Sequence, residues 1–185
     1  MYKEQINPTA KRTQGMIADA LARLLKEKHY AQITVTDICR KADIVRKTFY
    51  RNFSVKEDVI NYILDNRFSH FSLVLDNEPK IDALRIFCDL YNMLLEYKEF
   101  LVLFHNNGLF HIAARRIAEL MRDESIFTKT DRTKLNPKYY KYLTAQIVAT
   151  MVSIVETWID DNFSDTPEEI ARLTDDIMYG RFYIE

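Results

Sequence analysis

The 185 residues are 48% apolar and 12% aromatic, with only 3 Gly and 4 Pro. That content fills a buried core without cross-links, and so few turn formers exclude a many-stranded sandwich or barrel, which leaves an all-α fold. The net charge of −1 conceals an asymmetry: residues 1–53 carry 11 Lys and Arg against 5 acids, and residues 54–185 carry 15 against 22. The N-terminal part therefore suits a polyanion, and the remainder repels one.

In chain order, the first predicted helix runs from about Thr9 to Lys28. Ile17, Leu21, Leu24 and Leu25 form its apolar stripe, and Lys11 and Arg12 stand near its start, in reach of phosphates. The stretch Ile33–Phe53, ITVTDICRKADIVRKTFYRNF, reads as two short helices joined by a tight turn, a helix-turn-helix. Thr34 followed by Asp37 is a capping box for the first, with Ile38 and Ala42 inward. Asp43 and Ile44 interrupt the pattern. In the second helix Phe49 and Phe53 face the core, while Arg46, Lys47, Tyr50 and Arg51 share the opposite side. A basic, aromatic face on a short helix suits the major groove of DNA, although such a face can also be no more than solvated. Val45, before this helix, is a weak cap. Ser54-Val55-Lys56-Glu57 reads as a second capping box that opens a fourth helix, with Lys56 beside its free amides.

These residues resemble the TetR/AcrR-type one-component transcriptional regulators. The likeness rests on Thr34-Val35-Thr36-Asp37-Ile38, Ala42, Arg46, Thr48-Phe49-Tyr50-Arg51, Phe53 and Lys56-Glu57-Asp58. It implies that Thr48 and Tyr50 touch the phosphate backbone, that Lys56 anchors the start of helix 4, and that Arg46 and Lys47 read bases. Thr34, Thr36 and Arg51 complete the expected DNA-contacting set. Two positions depart from the family pattern: Asp43 stands where Gly is usual at the turn, and Val45 where a capping residue is common. Asp tolerates the left-handed conformation better than most residues, so the turn survives.

Helix 4, from about Val55 to Leu75, carries Val59, Ile60, Ile63, Leu64, Phe68, Phe71 and Leu75 as a wide stripe. Asn77-Glu78-Pro79 then breaks the pattern. The expected organisation is a DNA-binding domain over 1–54, helix 4 over 55–76 as connector, and a helical domain over 77–185. Further helices are predicted at roughly 80–96, 98–107, 109–126, 137–163 and 167–180. They are punctuated by Asn106-Asn107-Gly108, Asn136-Pro137 and the capping box Thr166-Pro167-Glu168-Glu169. The polar stretch 127–136 reads as a loop. Glu96–Phe104 with Asn107-Gly108-Leu109, and Trp158-Ile159 with Thr166–Ala171, resemble the C-terminal domain common in regulators of this family from Firmicutes. In that family this domain serves dimerisation and effector binding.

A homodimer is expected, because one recognition helix reads too few base pairs and two-fold proteins match palindromic operators. Ile147, Met151, Ile154, Val155 and Trp158 on one helix, with Ile170, Leu173 and Ile177 on the last, are the candidate interface, or else the final layer of a monomer core. Phe87, Tyr91, Phe100, Phe104, His105, Phe110 and His111 form an aromatic cluster suited either to an effector pocket or to plain core. His105 and His111 are six apart, not the spacing of two ligands on one helical face, so no metal is expected. His29 and His70 are read as surface or capping residues. Cys39 and Cys88 lack any zinc or redox spacing and are expected to be buried thiols. Asp160-Asp161 and Asp175-Asp176 are read as solvated pairs. No nucleophile elbow, phosphate-cradling loop or metal motif appears, so neither an enzyme nor a cofactor is expected. With no apolar leader and no long uncharged apolar run, the expected setting is the cytoplasm, without a membrane.

The sequence thus predicts a sequence-specific, double-stranded-DNA-binding transcriptional regulator, a repressor released by a small-molecule effector. The alternative is a regulator of the same family, repressor or activator, that answers to a partner protein instead of a small ligand. The third is a helical carrier or enzyme that merely keeps a basic head, with weak, sequence-blind DNA binding.

Overall fold

A computed structural model describes residues 7–77, 82–121 and 136–181, without the side chains of 68–77 and of Pro137. Among these residues all regular structure is helical. The chain groups into two compact units. One runs up to Ser69 and also takes in Asn106–Ala113; the other holds His70–His105 and Ala114 onwards.

In the first unit α1 spans Pro8–Glu27. Asn7 caps it, its Oδ1 accepting the Thr9 N–H at 2.9 Å, and Pro8 takes a first-turn position where no amide is needed. The stripe Ile17, Leu21, Leu24 and Leu25 is buried, and α1 packs on α2 (Val35–Lys41) and α3 (Arg46–Asn52). A 3₁₀ turn over Tyr30–Gln32 leads into α2, with His29 as its cap. The Thr34 capping box forms: Thr34 Oγ1 accepts the Asp37 N–H at 3.1 Å, and Asp37 Oδ2 accepts the Thr34 N–H at 2.9 Å. Asp43 turns the chain at φ +53, a conformation its short side chain tolerates.

Helix α4 runs from Lys56 to Asn77. Its capping carboxylate is Asp58, which accepts the N–H groups of Ser54 at 2.8 Å and Val55 at 3.2 Å. This corrects the expected box by one residue: with Lys56 as the first helical residue, Asp58 and not Glu57 sits at the third position. Val59, Ile60, Ile63 and Leu64 are buried as predicted. The side chains of Phe68, His70, Phe71 and Leu75 lie outside the described residues.

In the second unit α5 spans Ala83–Glu96, α6 Lys98–Asn106, and α7 Phe110–Leu120, these last two each crossing a unit boundary. Helix α7 gives way to a turn at Met121; residues 122–126 of its expected extension, and residues 127–135 of the polar stretch, fall outside the described residues. A 3₁₀ turn at Pro137–Tyr139 opens α8 (Tyr140–Asp160), and α9 follows at Pro167–Met178 behind the predicted Thr166/Glu169 capping box. Helices α5 and α9 pack along each other. Trp158 stands edge-on to Tyr91 at 5.8 Å and to Phe163 at 5.0 Å, and its indole N–H donates to the Asp165 carbonyl at 3.0 Å. The Thr174 hydroxyl donates to the Ile170 carbonyl, so the buried Tyr91 hydroxyl donates to Thr174 Oγ1, at 2.8 Å. Burial pushes the Tyr91 phenol up to about 12 despite that bond.

Two expectations are corrected in these helices. Asp175 is buried and paired with the Arg181 guanidinium, which also bonds Asp176 at 2.9 Å, so this acidic pair is not simply solvated. Cys39 is buried but Cys88 is only half-buried; both are free thiols. By length and composition α8 is apolar enough to cross a membrane, and little of its apolar surface is buried in the protomer.

Candidate nucleic-acid interface

The short helix α3 is held from beneath. Phe49 is fully buried, meeting Tyr50 edge-on at 5.4 Å and Phe53 at 5.9 Å, and the buried Asn52 amide donates to the Thr48 carbonyl at 2.8 Å. Burying Phe49 fixes which way the helix is rolled, and the opposite face is left to Arg46, Lys47, Tyr50 and Arg51, all exposed. Arg46 does not wave freely. Its Nη2 donates to the Tyr50 hydroxyl at 3.3 Å, and its guanidinium carbon lies 5.8 Å from the Tyr50 ring centre, one helical turn on. Thr48 is half-buried at the edge of this face.

Thr34 and Thr36 are exposed at the start of α2. The Thr34 hydroxyl is already engaged in the cap, donating to Asp37 Oδ2 at 2.7 Å. That carboxylate also receives Lys28 Nζ at 2.9 Å, and the Thr34 and Lys28 bonds together hold Asp37 well below the usual carboxylate range. Nothing in the sequence spacing flagged the Lys28–Asp37 pair, which joins α1's end to α2's start.

Lys56 has a more internal position than a phosphate contact requires. Its ammonium donates to the carbonyls of Tyr30 and Ile33, each at 2.8 Å, and lies 4.1 Å from the Tyr30 ring centre. Two of its three donors are thus committed within the protein, and burial lowers its pKa. Asn107, in the predicted helix stop before Gly108, is buried, and its Oδ1 accepts the Tyr30 N–H at 2.7 Å. The only advance signal was the polar residue before Gly108, and a stop signal does not say what the side chain binds.

The aromatic cluster divides. Tyr91 and Phe104 are buried, and Phe87, Phe100 and His105 half-buried, in the second unit; Phe110 and His111 belong to the first. The Phe100 and Phe104 rings meet at 4.2 Å, tilted by 42°, and His105 Nε2 lies 3.1 Å from Asp160. His111 is exposed, with Nδ1 2.7 Å from the Gly108 carbonyl. The candidate dimer residues divide as well. Val155, Trp158 and Ile170 are buried within the protomer, which is the core alternative rather than the interface one, and Trp158 packs against Tyr91 and Phe163. Ile147, Met151, Ile154, Leu173 and Ile177 are half-exposed. Among the described residues no group of three or more His, Cys, Asp or Glu is placed to hold a metal.

Residues 17–63, the head just described, match the family model of bacterial regulatory proteins of the tetR family, and residues 82–180 match that of the transcriptional regulator C-terminal region. The chain belongs to the TetR family. It is a DNA-binding transcriptional regulator with an N-terminal helix-turn-helix head and a C-terminal helical domain. The regulator is 40% identical over 65 residues to the HTH-type dhaKLM operon transcriptional activator DhaS of Lactococcus lactis, a match covering 35% of this chain and 34% of that one. It is 36% identical over 63 residues to the HTH-type regulator YxbF of Bacillus subtilis, covering 34% of this chain and 17% of that one. The matches span about a third and about a sixth of the relatives' lengths.

Among solved structures, the regulator's fold is similar to that of a TetR transcriptional regulator from Streptococcus agalactiae, with a TM-score of 0.63 and 14% identity over 92% of this chain and 95% of that one. It is also similar to the dihydroxyacetone kinase operon activator DhaS, with a TM-score of 0.54 and 23% identity over 91% and 95%.

Proposed function

We propose that this regulator acts in the cytoplasm as a homodimer on a palindromic operator, each protomer laying α3 in a major groove. The carrying observation is the outward face of α3, where Arg46 is steadied by Tyr50 over a buried Phe49. Arg46 and Lys47 read bases, while Thr48, Tyr50, Arg51 and Thr36 fix the register on phosphates. Thr34 and Lys56 support the start of α2 and α4 with the bonds described; Lys56 keeps one ammonium donor for a phosphate, and Thr34 reaches one only by giving up its hydroxyl bond to Asp37. The half-exposed Ile147, Met151, Ile154, Leu173 and Ile177 are the apolar surface a second copy covers. The sparse burial of α8 in one protomer supports that reading.

For control, we infer a repressor released by a small molecule that the C-terminal half binds through the Phe87, Tyr91, Phe100, Phe104 and His105 cluster. Release follows from geometry: both α3 helices must meet half-sites about one DNA turn apart, so any change in head separation costs contacts. A second reading, an activator answering to a partner protein, is favoured by the description of the Lactococcus lactis relative as a transcriptional activator.

Selection of a preferred site from random duplex DNA, followed by anisotropy titration at two salt concentrations, tests the core of this reading. A preference of roughly a thousandfold over scrambled DNA is expected. Arg46→Ala should lose about 1–3 kcal/mol at one base position, with the remaining positions read as before. Equal, salt-labile binding to every sequence would refute it. In vitro transcription from a promoter bearing the selected site then separates repressor from activator.

A further inference from the structure

Val45 is 69% exposed, more than any other large apolar side chain described as exposed. It precedes α3, and its side chain makes no capping hydrogen bond. A Ser, Thr, Asp or Asn there would satisfy a free amide, as Thr34 does at α2. Val45 therefore forgoes both burial and capping, and departures from local preference of this kind concentrate at functional positions. Its backbone is committed, since its carbonyl accepts the Thr48 N–H at 2.9 Å. The turn at Asp43 and the buried Phe49 hold the stretch from both sides. Beside it in the chain stands Arg46, whose guanidinium is steadied on Tyr50.

The chemistry of the groove leaves this isopropyl group one partner. On their major-groove edges adenine, guanine and cytosine present donors and acceptors, which an apolar side chain would strip of water without replacing the lost bonds. Thymine alone adds a methyl group. Valine is also stiff about χ1, so little rotamer freedom is lost on contact. We propose that Val45 is a specificity-determining residue that packs against the C5 methyl of a thymine beside the base read by Arg46. This deepens the function proposed above and rests on α3 entering the major groove.

The test uses the full-length protein and its selected site. Each thymine is replaced in turn by deoxyuridine, which lacks only the methyl group, and affinities are measured for wild type, Val45→Ala and Val45→Thr. One thymine per half-site should weaken wild-type binding by about fourfold when replaced, the worth of one buried methyl. The same replacement should leave Val45→Ala unaffected and should still be felt by Val45→Thr, which keeps one methyl. Because each ratio is taken within one protein, a change in its stability does not enter. Absence of any single-thymine effect in wild type, or an equal loss in Val45→Ala, overturns the proposal. Failure to select any preferred site is seen at the first step and overturns the reading of α3 as well, so the two failures are distinct.

Discussion

The side-chain oxygen of Asn107 accepts the backbone N–H of Tyr30 at 2.7 Å across 77 residues of chain. Tyr30 in turn gives its carbonyl to Lys56. A residue of the α6–α7 turn, the first residue of α4 and the 3₁₀ turn before α2 are therefore tied through one tyrosine. Gly108, at φ +63, lets the chain leave α6 in the left-handed conformation directly after Asn107.

Asn107→Ala should leave the Tyr30 N–H without its acceptor, at a cost of about 1–3 kcal/mol. Thermal unfolding should fall by several degrees, and hydrogen exchange at Tyr30 should speed up. Asn107→Asp keeps an oxygen in place and should lose less. Unchanged exchange at Tyr30 in the alanine variant would show that the bond contributes nothing in solution.

Lys56→Met should behave first as a stability variant. It keeps the stem over Tyr30 but removes two charge-assisted bonds to carbonyls, a loss of about 2 kcal/mol or roughly 4–8 °C in melting temperature. DNA binding should weaken on specific and random sequences alike. A normal melting temperature with a shallower salt dependence would instead make Lys56 purely a phosphate contact.

At the proposed dimer surface, Met151→Glu and Trp158→Ala should separate interface from core. The half-exposed Met151 position should tolerate Glu in the folded protomer and shift sedimentation toward monomer, with operator affinity falling accordingly. Trp158, 1% exposed, should cost about 3–5 kcal/mol on truncation through lost packing, whatever the protein concentration. Met151→Glu sedimenting like wild type would place the interface elsewhere.

Acid should act on the head through Asp37. Its folded pKa is held below the unfolded value by Thr34 and Lys28, so the stability it contributes is fully present above about pH 4 and is lost as pH falls through the folded pKa. Asp37→Asn should therefore melt below wild type at pH 7, and the gap should narrow as the pH is taken below 4. A gap that stays constant down to pH 2 would assign the effect to the shape of the amide rather than to charge.

Much of this regulator is legible in its sequence because the signals are local. The capping boxes at Thr34 and Thr166, the left-handed turn at Asp43, and the spacing that buries Phe49 while exposing Arg46 and Tyr50 each involve residues within a turn or two of one another. Backbone sterics and helical periodicity decide such features without reference to distant chain. Only the tertiary structure decided that Lys56 spends its ammonium on the carbonyls of Tyr30 and Ile33, that Asn107 is a ligand for Tyr30 rather than a simple helix stop, and that Trp158 is core rather than interface. Each of those roles depends on which atoms from remote segments arrive at a half-buried polar group or an apolar ring. Periodicity says which face a residue occupies, but it does not say what that face will meet.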